Sequence, residues 1–363
     1  MSQTSIPFLF MRGGTSRGPY LNRADLPADR DELAKVLVAM MGSGHPINID
    51  GLGGGTAVTT KVAMLSPSKD EWADVDYFFA QVSVEDCLVD FKPSCGNILV
   101  GVGPAAIEMG LVAPRGETTD VRIRAVNTGT KVSARVHTPD GAVNYEGDAT
   151  IDGVPGSAAP IDLQFMETVG SMTSGLFPTG ARRETVEGVE VSCMDVAMPM
   201  VLARAADFGL TGYETPAELD QNTDFMARME GVRKAAGERM GMGDVTKSVT
   251  PKFGLLAPPR DGGSAAVRYF MPWNCHPTLA VTGAQCISAC LLCPGTVGEG
   301  IGALPAGSPA ELSLEHPMGQ LLVTVDFERE GDAFAVRSAG LVRTARKLAA
   351  GEVFVPSSIW AGT

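Results

Sequence analysis

The chain has 363 residues, with 29 Lys and Arg against 42 Asp and Glu, so its formal net charge is −13. That length exceeds the roughly 250–300 residues over which one hydrophobic core usually grows, so two domains are expected. An acidic chain without basic runs excludes nucleic acid as a partner, because neutralising phosphates takes clustered Lys and Arg.

The first predicted elements are strands. Residues 6–11 are apolar, 59–65 (TTKVAML) are β-branched, and 77–84 (YFFAQVSV) form a further run bounded by charges. Residues 97–111 (NILVGVGPAAIEMGL) carry a single charge, Glu108, and predict a helix apolar on every side and therefore buried. Residues 121–126, 131–137 and 142–145 alternate between turn residues as a meander does. The stretch 170–180 (GSMTSGLFPTG) reads as a crossover. Residues 187–196 and 266–271 read as strands, and the mixed charges of 220–239 predict a solvated helix. Residues 277–292 (PTLAVTGAQCISACLL) are a second apolar helical candidate, and 320–327 with 333–338 close as a hairpin around Gly331. Each half thus has several strands and one buried helix. The expected fold is α+β, two similar domains over 1–182 and 183–363, each a curled, mostly antiparallel sheet around a central buried helix.

No stretch reaches the ~18–20 continuous apolar residues that span a bilayer, which excludes a membrane partner. The amino-terminal apolar run is too short for a signal peptide and has no basic residue ahead of it. Seven cysteines, an odd number, suit reduced thiols and a cytoplasmic protein. Cys290 and Cys293 form a CxxC pair. With Cys286, however, they fall at i, i+4, i+7 of the apolar helix, which is one packed face and not a zinc site, and no metal is expected.

Four features carry chemistry. Cys95, in Ser94-Cys95-Gly96-Asn97, precedes the first buried helix, where open N–H groups stabilise a thiolate; a buried inert cysteine fits the same pattern. Lys61 lies in an apolar strand on the face of Ala63 and Leu65, where desolvation suits a general base; an edge-strand lysine fits as well. The Gly-rich stretches 11–18 (MRGGTSRG) and 51–55 (GLGGG) match neither a P-loop nor a dinucleotide fingerprint. Their hydroxyls, backbone amides and two arginines suit a small polycarboxylate.

These stretches, with IDGLGGG and TTKVA between 49 and 63, SCGNILVGVGPAAIEMGLV (94–112), FPTG (177–180), HPMG (316–319) and LVRTARKLAAGEVFVP (341–356), resemble the PrpF family of isomerases, relatives of diaminopimelate epimerase. The resemblance runs in order over nearly the whole chain. It implies two domains with the site in a cleft, Lys61 and Cys95 as catalytic residues, and no cofactor. It also implies substrate carboxylates held at Gly14, Thr15, Ser16 and Arg17 and at Gly96 and Asn97. Arg12, Gly53, Gly54, Thr179, Gly180, His276, Thr282, Gly283 and His316 complete the candidate substrate-binding set. The segment 75–90 (VDYFFAQVSVEDCLVD) is similar to the family's 4-oxalomesaconate enzymes of gallate and protocatechuate breakdown, so the implied reaction is a proton shift on that small tricarboxylate. The alternative is 2-methylaconitate cis-trans isomerisation in propionate metabolism. Where epimerase relatives place a second catalytic cysteine, this chain has Ala280-Val281-Thr282-Gly283, with Cys275 five residues earlier, which argues against a two-thiol racemase. A homodimer is the default assembly for a soluble enzyme.

Overall fold

The computed structural model describes residues 3–271 and 273–362. They form two units: one runs to Gln164 and takes in the segment from Val342 onward, and the other is Phe165–Leu341. The expected division at 182/183 is thus found at 164/165. The stretch 170–180 belongs to the second unit, tied down by Gly170 N–H to the Asp195 carbonyl and Asp195 N–H to the Leu176 carbonyl.

In the first unit, β1 (Gln3–Gly13) and β2 (Ser16–Asn22) form a hairpin. Helix α1 (Arg30–Met41) crosses to β3 (Lys61–Pro67), which lies parallel to β2. Strand β4 (Val75–Val82) returns antiparallel, with the short β5 (Val89–Asp90) on its end. A helical crossover then leads to β6 (Thr118–Ala125), parallel to β4. Beside it run β7 (Lys131–His137) and β8 (Pro160–Met166). Asp29 caps α1 by accepting from the amides of Asp31 and Glu32, and Gly42 ends it in the left-handed region. Its Leu33, Val36, Leu37 and Met40 pack with Val62, Met64, Ala80 and Val82 on one face of the sheet. Lys61, Ala63 and Leu65, opposite Gln81, Phe79 and Tyr77, lie on the other.

The single helix expected over 97–111 is two, α2 (Gly96–Val100) and α3 (Val102–Glu108). Pro104 has no N–H for the Val100 carbonyl and its ring presses on that carbonyl, which breaks the ladder at Gly101. The strand expected at 142–145 is absent. Asp140 and Gly141, at φ 58° and 76°, turn the chain into a loop, and the next strand is β8.

In the second unit the strand expected over 187–196 is a hairpin of β9 (Glu184–Val186) and β10 (Val189–Asp195). Its turn residues Glu187 and Gly188 have φ of 46° and 75°. Strand β11 (Pro199–Arg204) pairs with β10, and α4 (Pro216–Gln221) and α5 (Thr223–Arg239) cross to β12 (Lys252–Ala257), parallel to β11. Strand β13 (Ala265–Phe270) returns, and α6 (Val281–Leu292) crosses to β14 (Ala310–His316), parallel to β13. Then β15 (Gly319–Glu330) and β16 (Ala333–Pro356) follow; the later part of β16 pairs with β1 in the first unit. Helix α5 is less solvated than its charges predict. Phe225, Met229, Val232 and Ala236 are buried against Val201, Phe253 and Phe270. Arg233 is fully buried, paired with Glu230 at 2.6 Å and donating to the carbonyls of Val245 and Pro251.

Both units therefore repeat one order: hairpin, parallel crossover with an outer helix, hairpin, parallel crossover with a buried helix, hairpin. In the second unit α6 packs among Leu202, Leu256, Val267, Leu312 and Val323, while α5 covers the opposite face.

Candidate active site

Lys61 opens β3, and its register partner Gln81 reaches it directly: Lys61 Nζ donates to Gln81 Oε1 at 2.8 Å. The Gln81 Nε2 group faces four oxygens, the carbonyls of Ala57, Thr60 and Val82 and the Thr60 hydroxyl, so the amide is fixed with its carbonyl toward the lysine. The ring of Phe79 lies 5.4 Å from Nζ. Among the described residues no carboxylate pairs with this lysine. Its amine is oriented by the neutral amide of Gln81.

Cys95 is the N-cap of α2, half-buried, with extended backbone. Two buried tyrosines hold this helix start: Tyr77 Oη donates to the Cys95 carbonyl at 3.3 Å and Tyr20 Oη to the Ile98 carbonyl at 2.5 Å. Burial pushes both phenols well above their ordinary range, so they stay protonated donors. No side chain caps α2, and the amides of Gly96, Asn97 and Ile98 are open among the described residues.

The β1–β2 hairpin connects the two. A side chain at Gly18 would collide with the Lys61 carbonyl, and one at Gly14 with Asn97 Oδ1. Gly14 also has φ of 53°, a region costly for any other residue. Asn97 grips the hairpin tip, accepting from Thr15 N–H at 3.4 Å and donating to Thr15 Oγ1 at 3.0 Å. Arg12 donates to the carbonyls of Gly14 and Thr344; burial, and then the charge of Arg346, weigh against its own charge. Ser16 is 3% exposed and its Oγ has no partner among the described residues, a donor left over inside the hairpin. The Arg17 guanidinium lies against Gly54, within 2.9 Å of where a side chain there would begin. Gly53 is different: its N–H is spent on the Met41 carbonyl, so it has no amide for a ligand.

In the second unit, Ala280 is the N-cap of α6 with no side-chain cap, and the amides of Val281, Thr282 and Gly283 are open among the described residues. Gly283 packs on the ring of Tyr269. His276 lies 6.0 Å from that ring, edge to face, and its N–H donates to the Tyr269 carbonyl. Its Nδ1 accepts from Thr278 N–H at 2.9 Å, which leaves the neutral ring's proton on Nε2. Burial holds the imidazole below its ordinary value. His276 and Gly283 are thus grouped around Tyr269, with Thr282 next to Gly283 in the first turn of α6. His316 is in the β14–β15 hairpin beside the start of β13, whereas His276 follows the far end of that strand. Thr179 and Gly180 form a turn closed by Gly180 N–H to the Phe177 carbonyl; Thr179 Oγ1 is buried without a partner among the described residues, and Phe177 packs against the α6 core.

Cys275 is 2% exposed, and burial pushes its thiol up to about 12. Burial likewise raises Cys286 well above the usual thiol value and Cys290 and Cys293 to about 11, the behaviour of packing residues. Among the described residues no cluster of His, Cys, Asp or Glu has the arrangement of a metal site, and no helix is long and apolar enough to cross a membrane.

Sequence reasoning passed over Gln81 and Lys252. Lys252 opens β12 as Lys61 opens β3 and is 7% exposed. The signal was present, a lysine heading the apolar run KFGLLA.

Residues 3–356 match the family model described as PrpF protein. The (4E)-oxalomesaconate Delta-isomerase of Novosphingobium sp. is 48% identical over 351 residues, 97% of this chain and 98% of that protein. The 4-oxalomesaconate tautomerase of Pseudomonas putida is 45% identical over 362 residues, 100% of this chain and 99% of that one. A crystal structure of methylitaconate-delta-isomerase superposes with a TM-score of 0.89 at 33% identity, covering 99% of this chain and 97% of its own.

Proposed function

The chain belongs to the PrpF family, and from that membership we propose that it is a cofactor-independent isomerase that shifts a proton along 4-oxalomesaconate. The two relatives at 45–48% identity, which span nearly all of this chain, are named for that substrate. The substrate supplies its own electron sink: loss of the proton next to the conjugated system gives an enolate delocalised over carbonyl and carboxylate. The protein then needs a base, an acid and donors for the developing charge. No electron carrier or Lewis acid is required by that chemistry.

Lys61 takes the proton from one carbon, and Cys95 returns one at the far carbon or the enol oxygen. The observation that carries this reading is the β1–β2 hairpin. It touches the lysine through Gly18 and the start of α2 through Gly14 and Thr15, and it presents Ser16 and Arg17 between them. The open amides of Gly96 and Asn97 and the Ser16 hydroxyl suit carboxylate or enolate oxygens. Seven unpaired cysteines fit a cytoplasmic site of action, and we retain a homodimer as the assembly.

Proton NMR in D2O with freshly prepared 4-oxalomesaconate tests the reading. Fast conversion with deuterium entering at one carbon is the expected result, lost in Lys61→Ala with the fold intact. Turnover of 2-methylaconitate in its place would move the protein to the propionate substrate, and full activity of Lys61→Ala would remove the lysine from the reaction.

A further inference from the structure

Tyr20 lies on β2 opposite Ala63 of β3, two residues along from Lys61 on the same face of the sheet. Its side chain reaches the first turn of α2, where Oη donates to the Ile98 carbonyl at 2.5 Å. The residue is fully buried. One side chain thus joins the strand that carries the lysine to the helical turn that carries the cysteine, and all of it lies within the first unit.

Two glycines make room for that hydroxyl. A side chain at Gly101 would begin 2.4 Å from Tyr20 Oη, and one at Gly13 would begin 2.9 Å from it. Gly101 has an ordinary helical φ of −81°, so its backbone does not call for glycine; the phenol is what excludes a larger residue. Gly101 is also where α2 and α3 part, and there the Ile98 carbonyl is shared between the phenol and Gly101 N–H at 3.0 Å. A helix of five residues has too few ladder bonds of its own to keep its place, so its position depends on what grips it from outside. The second phenol grips less firmly: Tyr77 Oη stands 3.3 Å from the Cys95 carbonyl, which already accepts from Leu99 N–H at 2.9 Å. Burial first, and then the nearby Cys95 thiol, hold the Tyr20 phenol well above its ordinary value, so it remains a donor.

We propose that Tyr20 is a positioning residue: through the Ile98 carbonyl, its hydroxyl sets where the Cys95 thiol stands relative to Lys61, and so sets the rate at which the thiol returns the proton. The proposal rests on the base and acid roles read above. Removal of a proton at one carbon needs Lys61 alone. Its return at the far position needs Cys95 in place as well, and a misplacement of about 1 Å is enough to slow such a step by roughly a hundredfold.

Tyr20→Phe removes one oxygen and keeps the buried ring. With 4-oxalomesaconate in D2O, Lys61 takes the proton and its ammonium exchanges with solvent. A deuteron then goes back from Lys61 to the same carbon, giving labelled substrate, or on from Cys95 to the far position, giving product. The variant should lower kcat by about tenfold or more with KM within about twofold. The ratio of deuterium in recovered substrate, above spontaneous exchange, to product formed should rise. A hydroxyl that only keeps the protein folded would lower exchange and product alike, so an unmoved ratio overturns the proposal, as does a variant that no longer folds. Tyr77→Phe removes the longer bond and should move the ratio less; the reverse ranking also counts against Tyr20. Iodoacetamide reads the same placement without substrate: in Tyr20→Phe the half-buried Cys95 should react several-fold faster, while the exposed Cys87 keeps its rate. Faster Cys95 labelling in the variant, with no isomerisation by the wild type, would uphold the positioning and overturn the substrate reading. Isomerisation by the wild type, with ratio and labelling unchanged in the variant, would do the opposite.

Discussion

Replacing Gly14 with alanine tests how the hairpin and α2 are locked together. The new methyl has two costs. At φ 53° an alanine is disfavoured by roughly 1–2 kcal/mol. It also overlaps Asn97 Oδ1, so the amide must swing away and release Thr15 N–H and Thr15 Oγ1. One of those bonds is at 3.0 Å and the other is stretched to 3.4 Å, so their loss costs about 1 kcal/mol together. Gly14→Ala should therefore destabilise by ~2–3 kcal/mol and Asn97→Ala, which loses the same bonds, by ~1 kcal/mol. In the double variant there is no amide left to displace. Its loss should stay near ~2–3 kcal/mol, short of the ~3–4 kcal/mol sum, a coupling of about 1 kcal/mol where independent sites add to within ~0.5 kcal/mol. Urea unfolding followed by tryptophan fluorescence reads this cycle, because Trp72 and Trp360 both lie in the first unit. Strict additivity would show that Asn97 does not clasp the hairpin, and the support for a shared Lys61–Cys95 site would go with it.

Two further outcomes follow from the same geometry. Gln81→Glu places a carboxylate within hydrogen-bonding reach of Lys61 Nζ and favours the ammonium over the amine, so the acidic limb of the kcat/KM profile should move to higher pH by about one unit or more; an unmoved limb would detach Gln81 from the base. Brief alkylation under native conditions should modify Cys87, which is exposed, and Cys95, which is half-buried, while Cys193, Cys275, Cys286, Cys290 and Cys293 react only after unfolding. Mass spectrometry of the peptides checks this, and even labelling of all seven would refute the burial assigned here.

The sequence disclosed what rests on periodicity and composition. The apolar runs at 97–111 and 277–292 are the buried helices of the two units, because a segment with one charge or none has nowhere else to go. It did not disclose the break at Gly101, although Pro104 was there to announce it. It also misread α5, whose surface charges hide a buried stripe, since Arg233 is satisfied by Glu230 and two carbonyls that are distant along the chain. Helix α1 had a full set of signals, Asp29 at the cap and Gly42 beyond the end. Within the candidate site, Lys61 and Cys95 were singled out by the family resemblance, since their local patterns fit an edge-strand lysine and a buried cysteine as well. Gln81 was not, because its part depends on register between β3 and β4, and no single-strand pattern reveals which residue faces which.

The two units spend one topology on different chemistry. At the head of the buried helix the first has a thiol, Cys95, and the second a methyl, Ala280. At the head of the corresponding strand the first has a lysine bonded to a neutral side-chain amide, and the second a lysine bonded to the Met271 carbonyl. Racemisation at one carbon calls for like acid–base groups on opposite faces, which a duplicated fold supplies most simply by keeping the same residue in both copies. A proton shift between two carbons has no such symmetry: the group that removes the proton and the group that returns it meet different atoms, and the remaining carboxylates need only be held. On the reading proposed above, Cys95 in one unit and Ala280 in the other supply the asymmetry that a proton shift calls for.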